Sequence, residues 1–237
     1  MDLLEIYENY IPLDVHKGTT QNLGLFYSLF TLFYFTGRFA FHSLNKQYSF
    51  LKYEESVSRV FSSLSQISII YYLFNYGALW GIHAFNLYVI NDMLYSVIFK
   101  PYLHYMVYLH HIVGVLISII GIGTLHNFVR GTNQYKQCYT VSASLLAMEM
   151  SAPLLSYTWI TKHENLGYLK SGMILVKPLL YVTYVLFRLI VPEYLFFSVL
   201  QFDWRDYVLP YFFVNFFITA LLYMQVYWFL KLVKIYV

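Results

Sequence analysis

Two histidines stand side by side in the stretch YMVYLHHIVGVLI, residues 105 to 117. His110 and His111 lie in a run otherwise fit for a lipid interior. Imidazole is the side chain that changes charge near neutral pH and serves as base, acid or ligand. On a helix, His104, His111 and Ser118 recur every seven residues and share one stripe. His110, Gly114 and Gly121 form a second stripe about 100° round the helix. The first stripe is suited to the wall of a polar cavity. The second is suited to a close helix contact, because glycines let backbones approach. His111 is thus the cavity-facing candidate. His110 either orients it or bonds to a neighbouring helix.

Carboxylates supply the possible partners. Asp92, 18 positions before the histidine pair, carries Tyr88 and Tyr95 on its helical face, with His83 nearly opposite. Its two readings are a structural hydrogen-bonded Asp and a group that orients a histidine or holds its charge. In SASLLAMEMSAPLLSY, Ser142, Glu149 and Ser156 share a stripe, and Pro153 is expected to free the carbonyl of Glu149 and kink the helix. Arg59, Ser63 and Gln66 share another face, which suits interhelical bonding. Lys177 precedes Pro178, and Arg188 is expected to snorkel to an interface. No metal site is expected, because adjacent histidines diverge on a helix and cannot chelate as an i, i+4 pair does.

Such groups need elements to position them. Of the 237 residues, 59% are hydrophobic, 22% aromatic and 11% charged. Soluble domains carry about 25% charged residues, so a solvated surface cannot be covered here. The apolar runs are long and do not alternate, which argues against a β-barrel. The expectation is an all-α polytopic membrane bundle of about seven helices, with a range of six to eight. A span needs roughly 20 apolar residues. The candidates are 22–41, 57–80, 82–99, 104–122, 137–160, 171–191 and 207–231. The third is the weakest, since it holds His83, Asn86, Asn91 and Asp92.

The net charge of +3 is thinly spread, so no nucleic-acid surface is expected. The single Cys138 cannot form an internal disulfide. The acidic start lacks a basic region ahead of an apolar one, so the first apolar segment is expected to act as an uncleaved anchor. With the N-terminus lumenal, ten Lys and Arg fall on the cytosolic side against five. The ten include Arg38 and the five include Arg188.

The order of these features resembles the TLC-domain family, which includes ceramide synthases, translocon-associated proteins and smaller lipid-related proteins. NLYVINDML (Asn86 to Leu94) is similar to the family's aromatic segment ending in Asp. YLHHIVGVL is similar to its histidine-bearing helix. EMSAP, FRLIVP and the closing YWFLKLV follow in order. The resemblance runs over about residues 50–235, so the chain divides into an N-terminal segment with the first helix, 1–49, and a TLC-like domain, 50–237. TVSASLLAMEMSAP lacks the His-Asp and spaced Asp of ceramide synthases, and Ser65 stands near where many relatives have His. The chain therefore looks closer to the small members.

The resemblance implies an endoplasmic reticulum or related membrane and a cavity holding lipid. It implies a protein that binds membrane lipid and influences membrane lipid composition, with no cofactor. One alternative is a ceramide-synthase-type N-acyltransferase, with acyl-CoA as co-substrate and with His110, His111 and Asp92 as catalytic groups. There His111 or His110 would act as base or transient acyl acceptor. A second alternative is a cargo receptor or translocon-associated helper. In either of the first two readings His104, Ser118, Glu149, Ser142, Ser156, Arg59 and Gln66 line the cavity or serve as structural polar groups.

Overall fold

The computed structural model describes residues 20–99, 105–127, 132–164, 166–191, 193–194, 197 and 208–236. Among these the chain is all-helical, with no strand. In order the helices are α1 (Thr20–Tyr48), α2 (Glu54–Tyr76), α3 (Ala78–Phe99), α4 (Tyr105–Asn127) and α5 (Asn133–Ala147). A 3₁₀ turn, Met148–Ser151, joins α5 to α6 (Ala152–His163). Then come a single turn, α7 (Gly167–Lys170), and α8 (Met173–Tyr184), which runs on into a π-helical turn, Val185–Ile190. The last is α9 (Val208–Tyr236).

Among the described residues four stretches are long and apolar enough to cross a membrane: Ala78–Phe99, Cys138–His163, Met173–Ile190 and Asn215–Lys234. Tyr108–Gly121 in α4 is apolar but shorter. The helix expected to be the weakest span is among the four and is the centre of the bundle. It packs against α1, α2, α4 and α5. Its polar residues are the reason. His83, Asn86, Asn91, Asp92 and Ser96 are all buried, and a polar group in a membrane protein is tolerated where protein, not lipid, surrounds it. The outer surface is the inverse. Ile174 and Leu175 on α8 are 79% and 76% exposed, which suits lipid contact.

Local chemistry explains how the helices join and survive. Gly77 ends α2 with φ 92°, a left-handed conformation that favours glycine, and its N–H donates to Leu73 O at 3.1 Å. The next residue starts α3, so α2 is shorter than the 57–80 span expected. Gly81 then lets α3 lie against its neighbours: a Cβ there would sit 2.7 Å from Leu146 Cδ1 and 3.3 Å from Leu73 Cβ. Between α1 and α2, Asn45 holds the connection, accepting from Leu51 N at 2.7 Å and donating to Leu51 O at 3.0 Å. Hydroxyls on the helices are satisfied at home. Thr36, Ser63, Ser65, Thr158, Thr161 and Thr183 donate to the carbonyl four residues back, so they need no water.

The proline of SASLLAMEMSAP acts otherwise than expected. Pro153 sits in the first turn of α6, where a missing N–H costs nothing. The Glu149 carbonyl is not free, because Ala152 N–H donates to it across the 3₁₀ turn. The helix is re-started here and not merely bent.

Candidate functional site

Asp92 is the hub of the first polar cluster. Its Oδ1 receives Arg38 Nη1 at 2.5 Å and Tyr34 OH at 2.9 Å. Arg38 also donates to Tyr34 OH, and its Nη2 donates to Ser58 Oγ at 3.1 Å. The guanidinium lies 3.9 Å from the centre of the Tyr95 ring. One turn of α1 therefore presents Tyr34 and Arg38 together, an i, i+4 pair. The other carboxylate oxygen is left for the histidine: Asp92 Oδ2 is 3.8 Å from His111 Nδ1. That distance exceeds a hydrogen bond, so the carboxylate acts on the ring through its field. Tyr88 closes the cluster, edge-on to His111 at 6.2 Å between ring centres and bonded to Ser62. His83 faces elsewhere, bonded to Tyr27 at 2.7 Å.

Arg38 was expected to sit at the cytosolic flank of the first span. It is instead 2% exposed, inside the bundle, because Asp92 needs a cation. An ion pair buried in this way loses about 3–5 kcal/mol when one partner is removed, since the other is left charged and dry.

The two histidines part company as the helix geometry requires. His111 points at Asp92. His110 points at α9, with its ring 5.1 Å from that of Trp228 and nearly perpendicular to it. His110 Nδ1 is buried without a hydrogen-bond partner among the described residues. The glycines of its stripe make the close contacts. A Cβ on Gly114 would meet Phe85 at 2.9 Å, and one on Gly121 would meet Ser142 Oγ at 3.2 Å. Ser118 is buried and bonds to Asn86 on α3. His104 lies outside the described residues.

Glu149 opens a second polar cluster. It is 6% exposed on the 3₁₀ turn, in hydrogen-bond reach of Gln66 from α2 and within the field of Arg188. Arg188 lies on the π turn. Its Nε donates to Ser151 Oγ at 2.5 Å and its Nη1 to Gln225 Oε1 at 3.2 Å. Tyr184, four residues before Arg188, donates to the same Gln225 oxygen at 3.2 Å. Arg188 does not snorkel: it is 5% exposed and turned inward. π turns are rare and often mark functional sites. This one shifts the phase of α8 at the residue that carries the charge.

The helix α2 packs both on α3, which carries Asp92, and on the 3₁₀ turn that carries Glu149. The two clusters are therefore neighbours in one interior. The stripe of Ser142, Glu149 and Ser156 does not survive as one surface. Ser142 faces Gly121 on α4, while Glu149 faces Gln66 and Arg188. Ser156 is buried in α6. Arg59 also leaves the set. It pairs with Glu55 on its own helix at 2.8 Å and covers the Trp159 ring at 4.5 Å, with a third of its side chain exposed. Gln66, two turns on, is buried.

Six residues join the candidates that sequence reasoning did not assign to a site: Tyr34, Arg38, Ser151, Tyr184, Arg188 and Gln225. A signal for four of them is present. Tyr34–Arg38 and Tyr184–Arg188 are both Tyr-x-x-x-Arg within apolar helices, a spacing that stacks a phenol beside a guanidinium. No group of three or more His, Cys, Asp and Glu suited to a metal occurs among the described residues.

Comparison with protein-family models, with curated proteins and with solved structures returns no match.

Proposed function

We propose that this chain is a multi-pass membrane protein of TLC-like type that binds lipid between its helices and influences membrane lipid composition. The observation that carries the reading is the set of buried polar groups, Asp92, His111, Tyr88 and Glu149, which α3, α4 and the 3₁₀ turn bring to the bundle interior. Charged groups at membrane depth are costly and are retained where they do a task. Arg38 and Tyr34 saturate one oxygen of Asp92 and leave the other to His111. A lipid headgroup entering beside His111 would meet an imidazole donor or acceptor held in the field of Asp92. The membrane is the endoplasmic reticulum or a related one. On this reading there are seven spans, with the N-terminus lumenal and the C-terminus cytosolic. Arg38 and Arg188 are spent on the interior, and the remaining basic residues still stand nine to four in that sense.

A ceramide-synthase-type acyltransferase is the second reading, and the Asp92–His111 approach favours it. In that reaction the amine attacks the thioester carbonyl, the C–S bond breaks, and His111 takes the amine's proton and returns it to the departing CoA sulfur, or accepts the acyl group as CoA leaves and passes it to the amine, while Asp92 holds the charge on the ring. His110 faces Trp228 and is a positioning residue at most.

The test is protein in lipid nanodiscs, given acyl-CoA and a sphingoid base, beside analysis of co-purified lipid. Retained lipid that is lost on Asp92→Asn, with no turnover, is the expected result. Acyl transfer that His111→Ala abolishes would establish the enzyme instead. Neither lipid nor turnover would sink both readings.

A further inference from the structure

The two buried arginines are built alike but are not neutralised alike. Arg38 has its carboxylate at 2.5 Å. Arg188 has no carboxylate within 4 Å among the described residues, and its neighbours are the neutral Ser151, Gln225 and Tyr184, the last with its ring centre 5.5 Å from the guanidinium. Two of its five N–H donors are used. Beside it, Gln225 is fully buried, and its Nε2 is a donor without a partner among the described residues. Glu149 supplies the opposite charge, yet from beyond contact distance. So the opposite charges are separated, and donors remain open beside them, Gln225 Nε2 above all.

We infer that Arg188 and Gln225, facing Glu149, form a subsite for the uncharged carbonyl oxygen of an acyl ester. This rests on the lipid-binding reading and names the ligand group and the residues that take it. An acceptor oxygen satisfies what Arg188 and Gln225 Nε2 leave open, and leaving buried donors unmade is costly. The ligand group is uncharged because Glu149 already balances Arg188, and an anion would add an unpaired charge to a dry interior. The π turn supplies the placement. It carries Arg188 inward on a helix whose other face, with Ile174 and Leu175, meets the lipid side, so an acyl chain lies against α8 while its carbonyl reaches the guanidinium.

The experiment is native mass spectrometry of the detergent-purified full chain with three probes: dipalmitoylglycerol, its dialkyl ether analogue, and palmitate. The wild type is expected to bind the ester about tenfold or more over the ether, the size of one charge-assisted hydrogen bond, and to bind palmitate more weakly than the ester. Arg188→Gln abolishes the ester-over-ether preference. Glu149→Gln removes the balancing charge and raises palmitate binding about tenfold. The second variant decides the matter if the first fails to fold. Equal binding of ester and ether, a preference that survives Arg188→Gln, palmitate binding tighter than the ester in the wild type, or no gain for palmitate in Glu149→Gln would each overturn the subsite. Loss of all three lipids by the wild type would instead defeat the lipid-binding reading on which it rests.

Discussion

The Arg38 and Arg188 clusters share a plan and differ in one contact. Each arginine follows a buried tyrosine by four residues, each is almost fully enclosed, and each has a carboxylate in the same cluster. In the first, charge meets charge directly, and α1 is locked to α3. In the second, neutral groups hold the arginine while its counter-charge stands off. A direct buried pair is a fastening, because its energy is lost if either side moves. A separated pair is a poised field, because a third group can enter it. Direct and separated pairs are thus built from the same residue types, and the distance to the carboxylate tells them apart.

The largest effect expected is on the fastening. Arg38→Ala or Asp92→Asn should each cost about 3–5 kcal/mol, read as a fall in the melting temperature of the detergent-solubilised protein. Arg38→Met combined with Asp92→Leu should cost less than either single change, since no charge is then stranded. Arg38→Lys should not rescue, because an ammonium cannot serve Asp92, Ser58 and the Tyr95 face at once. A double variant as unstable as the sum of the singles would show that the pair is not acting as a unit.

Arg188→Gln should cost less, about 2–3 kcal/mol, the value of hydrogen bonds from a charged donor. Adding Glu149→Gln should recover part of it, since the carboxylate then has no charge to balance. A loss equal to that of Arg38→Ala, unrelieved by Glu149→Gln, would make the second cluster a fastening too and would remove the contrast.

The pattern of the sequence reaches one half of this picture. Helical periodicity placed His111 on a different face from His110, and Asp92 on a face with Tyr88 and Tyr95. The structure has His111 beside Asp92 and His110 against Trp228. Periodicity fixes the face of a residue within its own helix. It does not say which helix that face meets, so Arg38 reads as a flanking charge and Arg188 as a snorkelling one. Both are ordinary readings for arginine near the end of an apolar run. Only the packing of α1 on α3, and of the π turn on the 3₁₀ turn, turns them inward. Polarity misleads in the same way at α3. Its Asn, His and Asp residues weaken it as a lone span, yet they are what a helix surrounded by others can carry.

A third carboxylate, at the water-facing end, sharpens the comparison by adding a pH axis. Glu164 follows α6 and reaches across to the start of α2. Its Oε2 accepts from Lys52 N–H at 2.5 Å and its Oε1 from Tyr53 N–H at 2.9 Å. Tyr53 has no side-chain cap of its own to offer, so Glu164 caps α2 from another helix, where the dipole favours an anion. Burial pushes the Glu164 carboxyl up, but the Ser56 hydroxyl nearby, the bonds from Tyr53 and Lys52 N–H and the Lys52 charge outweigh it and hold the group below its ordinary value of 4.5. A depressed folded value means that its stabilisation is complete above 4.5 and fades as pH falls through the lower folded value. The wild type should therefore lose stability below about pH 4.5 by a step that Glu164→Gln lacks, and at pH 7 that variant should be less stable by about 1 kcal/mol. The Arg38–Asp92 fastening should contribute the same in both proteins. Melting curves of the two between pH 7 and pH 3 that stay parallel would remove Glu164 from the cap and leave the closing of α2 on α6 to packing alone.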